Sequence, residues 1–490
     1  MSASLDRTFA VGDGPLSADD VLAAASGAAP ITLTAVARER ILAAHELVER
    51  LTLSRDVYGR TTGVGANRDV RIEDPGHTHA MRLLRSHASG VGELLDADVM
   101  RTALIVRLNQ LARGGSGTHV GLADALVEAI NAGALPAAHS VGAIGTGDIT
   151  VFAEVGLAFA GEGAWLDGGL PPAPLTVVDA LALMSTNAAT LALALMAWGD
   201  ARRLLRASIA AAALGFRVVD GNPEAFSEAV CRARPLPGPA VVARSMRDLL
   251  GDSYAPPARI QDPFGFRCVP QVLGALNDVL DQLGRVLEVE INAAPENPVV
   301  SLVDQNILHH GNFHITHTAL ALDVSRLALA QASGLSSSRV AILMEPAWTG
   351  LEPFLADGRP GSSGLMIAEY VAADAAATLR ASAVPATINS VDLSRGVEEH
   401  ASFAWQGAWQ MRRAVAAYRP MIAIELMAAA RALRQQGQHP GGALDDVVEL
   451  VEELTGTATE DRSLSTAIEA LSGRLDDVAA LVALAPAPED

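Results

Sequence analysis

Residues 139–165 read HSVGAIGTGDITVFAEVGLAFAGEGAW, and the interpretation of the whole chain depends on this stretch. Its first half contains three glycines within six residues. Glycine loses the most backbone entropy on ordering, so this half predicts a tight loop. From Ile149 to Ala160 the residues are apolar helix formers, and Asp148 is a candidate N-cap. A glycine loop that enters a buried helix is a common place for chemistry, although a plain interhelical turn has the same pattern.

The remaining sequence predicts an all-α protein. The chain has 490 residues, of which 50% are hydrophobic and only 4% aromatic. Apolar segments with helical periodicity continue from about residue 17 to 484 without a Ser/Pro/Gly-rich linker. We therefore expect one continuous helical body, with long helices over about 269–290 and 316–332. The expected regions are 1–200 (N-terminal, with the loops of the site), 201–484 (central long-helix bundle and C-terminal helices) and 485–490 (a frayed tail).

Charge and composition exclude several classes of partner. The net charge of −20 argues against nucleic acid, which needs a basic face. Two cysteines are too few for a disulfide framework, and a cytoplasmic location is expected. Residues 180–199 are uncharged and long enough to span a membrane. Because Ser185-Thr186-Asn187 interrupts them, we expect one buried helix of a large α-protein and no membrane partner.

Several other motifs place polar side chains on loops. They are VYGRTTGVG (57–65), LRSHASGVG (84–92), QDPFGFR (261–267), EINAAPENP (290–298), HHGNFHITH (309–317) and SVDLSRGVEEH (390–400). Together with the glycine loop, these motifs resemble the aromatic amino acid ammonia-lyases, the family of histidine, phenylalanine and tyrosine ammonia-lyases and the related aminomutases. The resemblance covers about residues 14–480. It implies a fumarase/aspartase-like long-helix bundle that forms a homotetramer, with active sites that draw on three subunits.

The resemblance also implies roles for single residues. Tyr58 occupies the position of the catalytic tyrosine, and Arg267 that of the arginine that holds the substrate carboxylate. Arginine suits this role because its planar fork donates two hydrogen bonds to a carboxylate. His87 resembles the pocket histidine of histidine ammonia-lyases and indicates a polar or imidazole-like substrate group. The other implied substrate-binding residues are Ser185, Gln261, Phe264, Phe313, Thr378 and Glu398.

At three of these positions the chain departs from the family pattern. The family's active-site asparagine falls on Ser185, a tyrosine falls on Phe264, and a glutamate near the substrate amine falls on Thr378. Of the four histidines in residues 309–317, His310, His314 and His317 could share one helical face, which would suggest a metal site. The Gly-Asn-Phe-His turn in this segment resembles that of the lyases, which carry no metal, so no metal site is expected.

The central departure lies in the cofactor tripeptide. In the family, Ala-Ser-Gly before Asp-Leu cyclises into a methylidene-imidazolone (MIO) electrophile, and the middle residue loses its hydroxyl as water. One alignment here gives Ala143-Ile144-Gly145, and Ile144 has no hydroxyl. The other gives Gly145-Thr146-Gly147, in which Thr146 would leave a methyl-capped, hindered double bond. We therefore expect no conventional MIO group, and an MIO-type group from residues 143–147 stays as the alternative.

Three functional hypotheses follow. The first is a lyase without MIO that eliminates ammonia or another leaving group from an amino-acid-like small molecule, with Tyr58 as the base. A tyrosine of ordinary pKa near 10 would need a lowered value for this role. The second is an ammonia-lyase or aminomutase with an altered MIO from Thr146, flanked by Gly145 and Gly147. The third is a non-catalytic binding or assembly protein. Retention of Tyr58, Gln261, Arg267 and Phe313 argues against the third. The departures at Ser185, Phe264 and Thr378, together with the broken tripeptide, argue against the second, so the first is favoured.

Overall fold

The computed structural model describes residues 8–73, 77–173, 175–251 and 259–485, and these are predominantly helical. The predicted tail falls, apart from Ala485, outside the described residues. Two compact units are formed. Unit 1 comprises Met1–Met196, Gly284–Leu322 and Pro385–Trp409, and unit 2 comprises Ala197–Leu283, Asp323–Val384 and Gln410–Asp490. Each unit therefore combines segments that are distant in the sequence.

The helices, in chain order, are α1 (Ala18–Ala25), α2 (Ala35–Thr52), α3 (His77–His87), α4 (Ala97–Leu111), α5 (Val120–Ala132), α6 (Ile149–Phe159), α7 (Val177–Met184), α8 (Ala188–Val218), α9 (Glu228–Ala233), α10 (Pro237–Leu250), α11 (Phe264–Arg267), α12 (Val269–Ile291), α13 (Thr316–Leu343), α14 (Pro346–Thr349), α15 (Ala368–Ser382), α16 (Ala404–Gln436), α17 (Ala443–Thr455), α18 (Ser465–Gly473) and α19 (Leu475–Ala480). Short 3₁₀ turns cover Gly65–Asn67, Pro223–Phe226, Pro353–Leu355 and Ala386–Ile388.

All the strands in the described residues are short and belong to unit 1. They are β1 (Phe9–Val11), β2 (Ile31–Leu33), β3 (Val91–Leu94), β4 (Leu135–Pro136), β5 (His139–Val141), β6 (Trp165–Asp167), β7 (Val299–Ser301) and β8 (Asn306–Leu308). They form four two-stranded ribbons: β1 with β2 in parallel, and β3 with β5, β4 with β6 and β7 with β8 antiparallel. The β3–β5 ribbon leads directly into the glycine loop.

The core of unit 1 surrounds helix α4, which is buried along nearly all of its length. This helix carries Arg107, which is fully buried and lies 2.8 Å from a carboxylate oxygen of the buried Glu296. A buried charge is tolerated only when it is paired, so this ion pair fixes the segment 290–298 against α4.

Unit 2 is held together by long helices with a polar cluster inside. Arg339 of α13 donates to both carboxylate oxygens of Glu425 of α16, at 2.6 and 3.0 Å, and all of these groups are buried. Ser336 donates a third hydrogen bond, at 2.6 Å, to the same carboxylate. Two donors thus satisfy the buried charge, which sets the alignment of α13 along α16 within this unit.

The sequence-based expectations for the helices hold with two corrections. Residues 180–199 form two helices, because α7 ends at Met184 and α8 begins at Ala188. Residues 178–218 have the length and hydropathy of a membrane span, but 89% of the apolar window is buried in the protein, as in a core helix. Helix α13 extends to Leu343, beyond the expected end. It continues through Gly334, since one helical glycine costs only about 1 kcal/mol relative to alanine.

Candidate active site

A cavity of about 410 Å³ lies in unit 1 and brings together most of the predicted site residues. Its lining consists of Tyr58, Val64, Gly65, His87, Thr146, Gly147, Ile149, Leu181, Met184, Ser185, Asn297, Gly311, Phe313, His314, Ser394, Val397, Glu398, Glu399 and His400. Seven separate stretches of the chain meet here: the Tyr58 loop, the end of α3, the glycine loop, the α7–α8 break, the segment at Asn297, the Phe313 turn and the segment 394–400. The convergence of loops on rigid helices is typical of an active site.

The Tyr58 loop holds the phenol in one position. The backbone N–H of Gly65 donates to the Tyr58 hydroxyl at 2.8 Å, and the backbone N–H of Tyr58 donates to Nε2 of His309 at 3.3 Å. Gly65 has φ +56°, and a Cβ there would lie 2.7 Å from the Ser394 hydroxyl. This position therefore requires glycine, as the sequence of the loop indicated.

The pKa of Tyr58 is raised in this structure. Burial of the ring is the largest cause, and the negative charge of Glu398 adds to it. The hydrogen bond from Gly65 and the charge of Arg68 act in the opposite direction but do not offset it. A tyrosine that acts as a base at neutral pH needs a lowered pKa. The single chain does not supply that change, so any lowering has to come from what binds in the cavity or from the other subunits that the resemblance implies.

The glycine loop is anchored on one side by the start of α16. Three successive carbonyls, those of residues 143–145, accept hydrogen bonds from Gln406 Nε2 (3.0 Å), the backbone N–H of Phe403 (2.8 Å) and the Ser402 hydroxyl (2.6 Å). Gly145 has φ +77°, and a Cβ there would lie 2.7 Å from the backbone nitrogen of Ala404. The loop therefore packs backbone to backbone and leaves Thr146 to line the cavity.

On its other side the loop is held by Asn187. This residue accepts from the backbone N–H of Gly147 at 2.8 Å and donates from Nδ2 to the carbonyl of Phe313 at 2.7 Å. Asn187 is buried and ties the glycine loop to the Phe313 turn. Asn187 was not among the predicted site residues. An amide within an uncharged apolar stretch is nevertheless a signal, because a buried amide needs hydrogen-bond partners.

Ser185, where the family's asparagine was expected, makes a different contact. Its hydroxyl accepts from the backbone N–H of Asn297 at 3.2 Å, and Asn297 in turn accepts from the backbone N–H of His310 at 3.0 Å. The amide contact to the glycine loop thus comes from Asn187, which follows Ser185 by two positions.

Asp148 is the first residue before α6, but its side chain makes no cap hydrogen bond to that helix. Instead its carboxylate accepts from the backbone N–H and the hydroxyl of Thr190, each at 2.7 Å, in the first turn of α8. The prediction that the Asp148 side chain caps α6 was therefore wrong, because the carboxylate binds the start of α8 instead. The unpaired N–H groups of a buried helix start need an acceptor, and Asp148 supplies it to α8. Full burial raises the pKa of Asp148 to about 7, against the opposing effect of Thr190.

Two histidine environments face the cavity. His87 Nδ1 lies 2.8 Å from the carbonyl of Leu83, so Nδ1 carries the proton and Nε2 keeps its lone pair for a ligand. His314 Nε2 lies 2.8 Å from His400 Nδ1, and burial lowers the pKa of His314, with a further contribution from His400.

The histidines of residues 309–317 do not form one helical face, because α13 begins only at Thr316. Within the described ranges, no group of three or more His, Cys, Asp or Glu side chains is arranged to hold a metal ion.

Four predicted site residues belong to unit 2. Arg267 donates from Nε to the carbonyl of Asp262 at 2.6 Å, and its guanidinium lies 4.3 Å from the centre of the Phe264 ring. Gln261, Phe264 and Thr378 are exposed. These four residues are not part of the cavity lining, so their roles in binding stay predictions.

The predominantly helical fold and a cavity that carries a loop tyrosine beside a glycine loop define a class of lyase built on long helices. Residues 16–453 match the aromatic amino acid lyase family, and the chain belongs to that family. It is therefore a carbon–nitrogen lyase.

Similar proteins include the histidine ammonia-lyase of Caldanaerobacter subterraneus subsp. tengcongensis, 32% identical over 94% of this chain and 96% of the relative. That of Symbiobacterium thermophilum is 34% identical over 93% and 94%. Among solved structures, an ergothionase from Treponema denticola, which degrades ergothioneine and was crystallised with desmethyl-ergothioneine sulfonic acid, superposes with a TM-score of 0.91 at 27% identity, over 97% of this chain and 99% of that one. Histidine ammonia-lyase from Trypanosoma cruzi gives 0.89 at 27% identity, over 97% and 96%.

Proposed function

We propose that this chain eliminates a tertiary amine from a trimethylammonium derivative of an imidazole amino acid, with Tyr58 as the base and without an MIO electrophile. The observation that carries the proposal is the glycine loop. No residue at the cyclising position can give the usual methylidene group, and the backbone groups that would close the ring, at Gly145 and Gly147, are both engaged in hydrogen bonds.

The residues present do not fit the conventional MIO group. In the alignment that uses Thr146, ring closure would join the nitrogen of Gly147 to the carbonyl carbon of Gly145. The first of these groups donates to Asn187 and the second accepts from Ser402. Closure would remove both hydrogen bonds inside a buried region, and each loss costs about 1–3 kcal/mol.

A quaternary leaving group makes an electrophile unnecessary. A trimethylammonium nitrogen has no lone pair and no N–H, so it cannot form a covalent adduct with an electrophile. It also leaves as a neutral amine, because the electron pair of the broken C–N bond cancels its positive charge. A covalent electrophile is useful when ammonia has to leave from a primary amine, which can form the adduct.

The charge of the cavity suits such a substrate. Glu398 and Glu399 contribute carboxylates to the lining, and among the described lining residues there is no lysine or arginine. A fixed cation in this cavity would be attracted by the two carboxylates. The same cation would favour the phenolate of Tyr58 and lower its pKa, against the effect of burial. The substrate itself would therefore supply the activation that the protein alone lacks.

Two observations support an imidazole ring in the substrate: the position of His87 and the names of the similar proteins. The free Nε2 lone pair of His87 can accept an N–H of an imidazole ring. Histidine ammonia-lyases act, by name, on an imidazole amino acid. The ergothionase degrades ergothioneine, which is the trimethylated betaine of a 2-thioimidazole amino acid.

The proposed reaction is a single β-elimination. The Tyr58 phenolate takes the β-proton, the C–H electron pair becomes the new C=C bond, and the Cα–N bond breaks with its electrons on nitrogen. The products are an unsaturated carboxylate and trimethylamine. By resemblance, Arg267 holds the carboxylate within a homotetramer that shares its active sites.

A second candidate is an ammonia-lyase or aminomutase with an altered MIO formed at Thr146. The observation that favours it is the Ser402 hydroxyl on the Gly145 carbonyl, which would polarise that carbonyl towards attack. The sequence identity of 32–34% to histidine ammonia-lyases is also compatible with this candidate.

The experiment compares two substrates that differ only in methylation, histidine and its trimethyl betaine, with ergothioneine as a third. We expect trimethylamine from the betaines and no ammonia from histidine. Intact-protein mass under denaturing conditions should equal the encoded mass. Ammonia release from histidine, together with a mass deficit of water mapped to residues 143–147, would establish the second candidate instead.

A further inference from the structure

The histidine pair in the cavity has a geometry that the proposed elimination does not yet use. His314 precedes α13 and His400 lies on the segment that carries Glu398. Their nitrogens are 2.8 Å apart, and the rings lie with centroids 5.0 Å apart at an interplanar angle of 33°. On its other side, His314 Nδ1 lies 2.7 Å from the Thr316 hydroxyl. A continuous line of hydrogen bonds thus runs from Thr316 to His400, whose ring lines the cavity.

This line has two complete arrangements. In one, Thr316 donates to His314, His314 Nε2–H donates to His400 Nδ1, and His400 Nε2 carries a proton. In the other, His400 Nδ1–H donates to His314, His314 Nδ1–H donates to Thr316, and His400 Nε2 presents a lone pair to the cavity. Only a hydroxyl rotation and proton shifts separate the two. The second arrangement is a base, and after it accepts a proton the pair shares one positive charge.

An elimination of the kind proposed leaves a proton on Tyr58 in every turnover. The tertiary amine is neutral as it leaves, so it does not carry the proton away in the same step. The phenol is held by Gly65 in a partly buried position. An imidazole in the same cavity would take up this proton faster than water, because it is the stronger base.

We propose that the His314–His400 pair is the proton acceptor that resets Tyr58 after each elimination. The Tyr58 O–H bond breaks, the proton passes through cavity water to Nε2 of His400, and the pair then releases it to solvent. No electron is gained or lost, and the phenolate forms again when the next cationic substrate binds and favours it. This inference rests on the proposed function for its chemistry. The other titratable groups that face the pair across the cavity are His87, Glu398 and Glu399.

Steady-state kinetics on ergothioneine and on the trimethyl betaine of histidine test the relay. His400→Gln and His314→Gln keep hydrogen-bonding groups but cannot carry the proton. We expect kcat to fall by about 10-fold or more, with KM little changed, and to be partly restored by added imidazole buffer. The matched control is His317→Gln, an exposed histidine on the first turn of α13 outside the cavity lining. Unchanged kcat in both variants, or a loss that no buffer restores, would overturn the proposal.

A second measurement needs no turnover and separates this inference from the proposed function. Histidine Cε1–H signals of the intact protein, assigned with the two variants, should show that protonation of the pair moves the signals of both rings together. If the two rings titrate independently, the shared-proton pair does not exist and the inference fails, whatever the substrate is. If they are coupled while neither betaine reacts, the pair stands and the proposed function is the part that failed.

Discussion

Asp148 and Thr190, which are 42 residues apart in the sequence, form a buried two-point contact in which one carboxylate accepts from both the backbone N–H and the hydroxyl. The contact joins the end of the glycine loop to the first turn of α8. It is made by a carboxyl group whose pKa burial raises to about 7. The geometry of the loop is therefore linked to the ionisation of one group.

The first prediction concerns the pH dependence of stability. Because the folded pKa of Asp148 lies above the ordinary value near 4, the folded state binds this proton more tightly than the unfolded state. The contribution is full below about pH 4 and is lost as pH rises to about 7. Asp148→Asn, which cannot ionise, should remove this part of the slope. Thermal unfolding between pH 4.5 and 7.5 measures it, and identical slopes for the two proteins would contradict the assignment.

The second prediction concerns Asn187. Asn187→Ala removes the hydrogen bonds to Gly147 and Phe313 and leaves both backbone groups buried, so we expect a loss of about 1–3 kcal/mol per unsatisfied group. Asn187→Asp keeps the acceptor for Gly147 but places a carboxylate against the Phe313 carbonyl. We expect Asn187→Asp to lower kcat in addition to stability, because repulsion displaces the Phe313 turn that lines the cavity. Urea unfolding and kcat are the measurements, and wild-type values for both variants would refute the role.

Asp148 and Asn187 make contacts that the sequence does not predict. Apolar periodicity predicted the long helices, and glycine spacing predicted the loops at Tyr58 and at 142–147, because both signals are local. The targets of Asp148 and Asn187 are not local. The sequence predicted a cap for α6, but the Asp148 carboxylate binds the start of α8, which lies inside a long uncharged stretch of the sequence. Spacing along the chain carries no information about such contacts between distant segments.

The cavity shows the same difference between local sequence signals and contacts between distant segments. The motif resemblance selected Tyr58, His87, Thr146, Phe313 and Glu398, and the structure brings them together. The pairing of His314 with His400 depends on the approach of two loops 86 residues apart. Sequence alone showed four histidines near residue 310 and suggested a helical face that the start of α13 rules out.

The third prediction concerns the homotetramer that the resemblance implies. Helix α13 exposes Leu320, Val324 and Leu327 at 49%, 47% and 49%, spaced by four and three residues along one face. An apolar stripe of this kind fits a helix–helix interface between subunits. Val324→Arg should shift the protein to smaller species in light scattering. The control is Val36→Arg, at a valine that is 54% exposed on α2. A monomeric wild-type protein would exclude shared active sites.

The fourth prediction concerns the carboxylate. Arg267→Lys keeps a positive charge but loses the planar two-pronged grip and the stacking on Phe264. If Arg267 holds the substrate carboxylate, KM should rise while kcat changes less. Arg234→Lys, a substitution of the same kind at an exposed arginine, is the control. Equal kinetics for wild type and Arg267→Lys would mean that another group holds the substrate carboxylate.

The last prediction concerns the base itself. Tyr58→Phe removes the hydroxyl that accepts from Gly65 and leaves the ring and its packing in place, so the fold should be kept. General base catalysis contributes about 10²–10⁴-fold, and kcat should fall by at least that order. In the wild-type protein kcat/KM should rise with pH above 7, because burial and Glu398 raise the pKa of the free tyrosine and the phenolate is the active form. Binding of a cationic substrate favours the phenolate, so the corresponding rise in kcat should appear at lower pH than the rise in kcat/KM. Full activity of Tyr58→Phe across this range would mean that another group takes the proton.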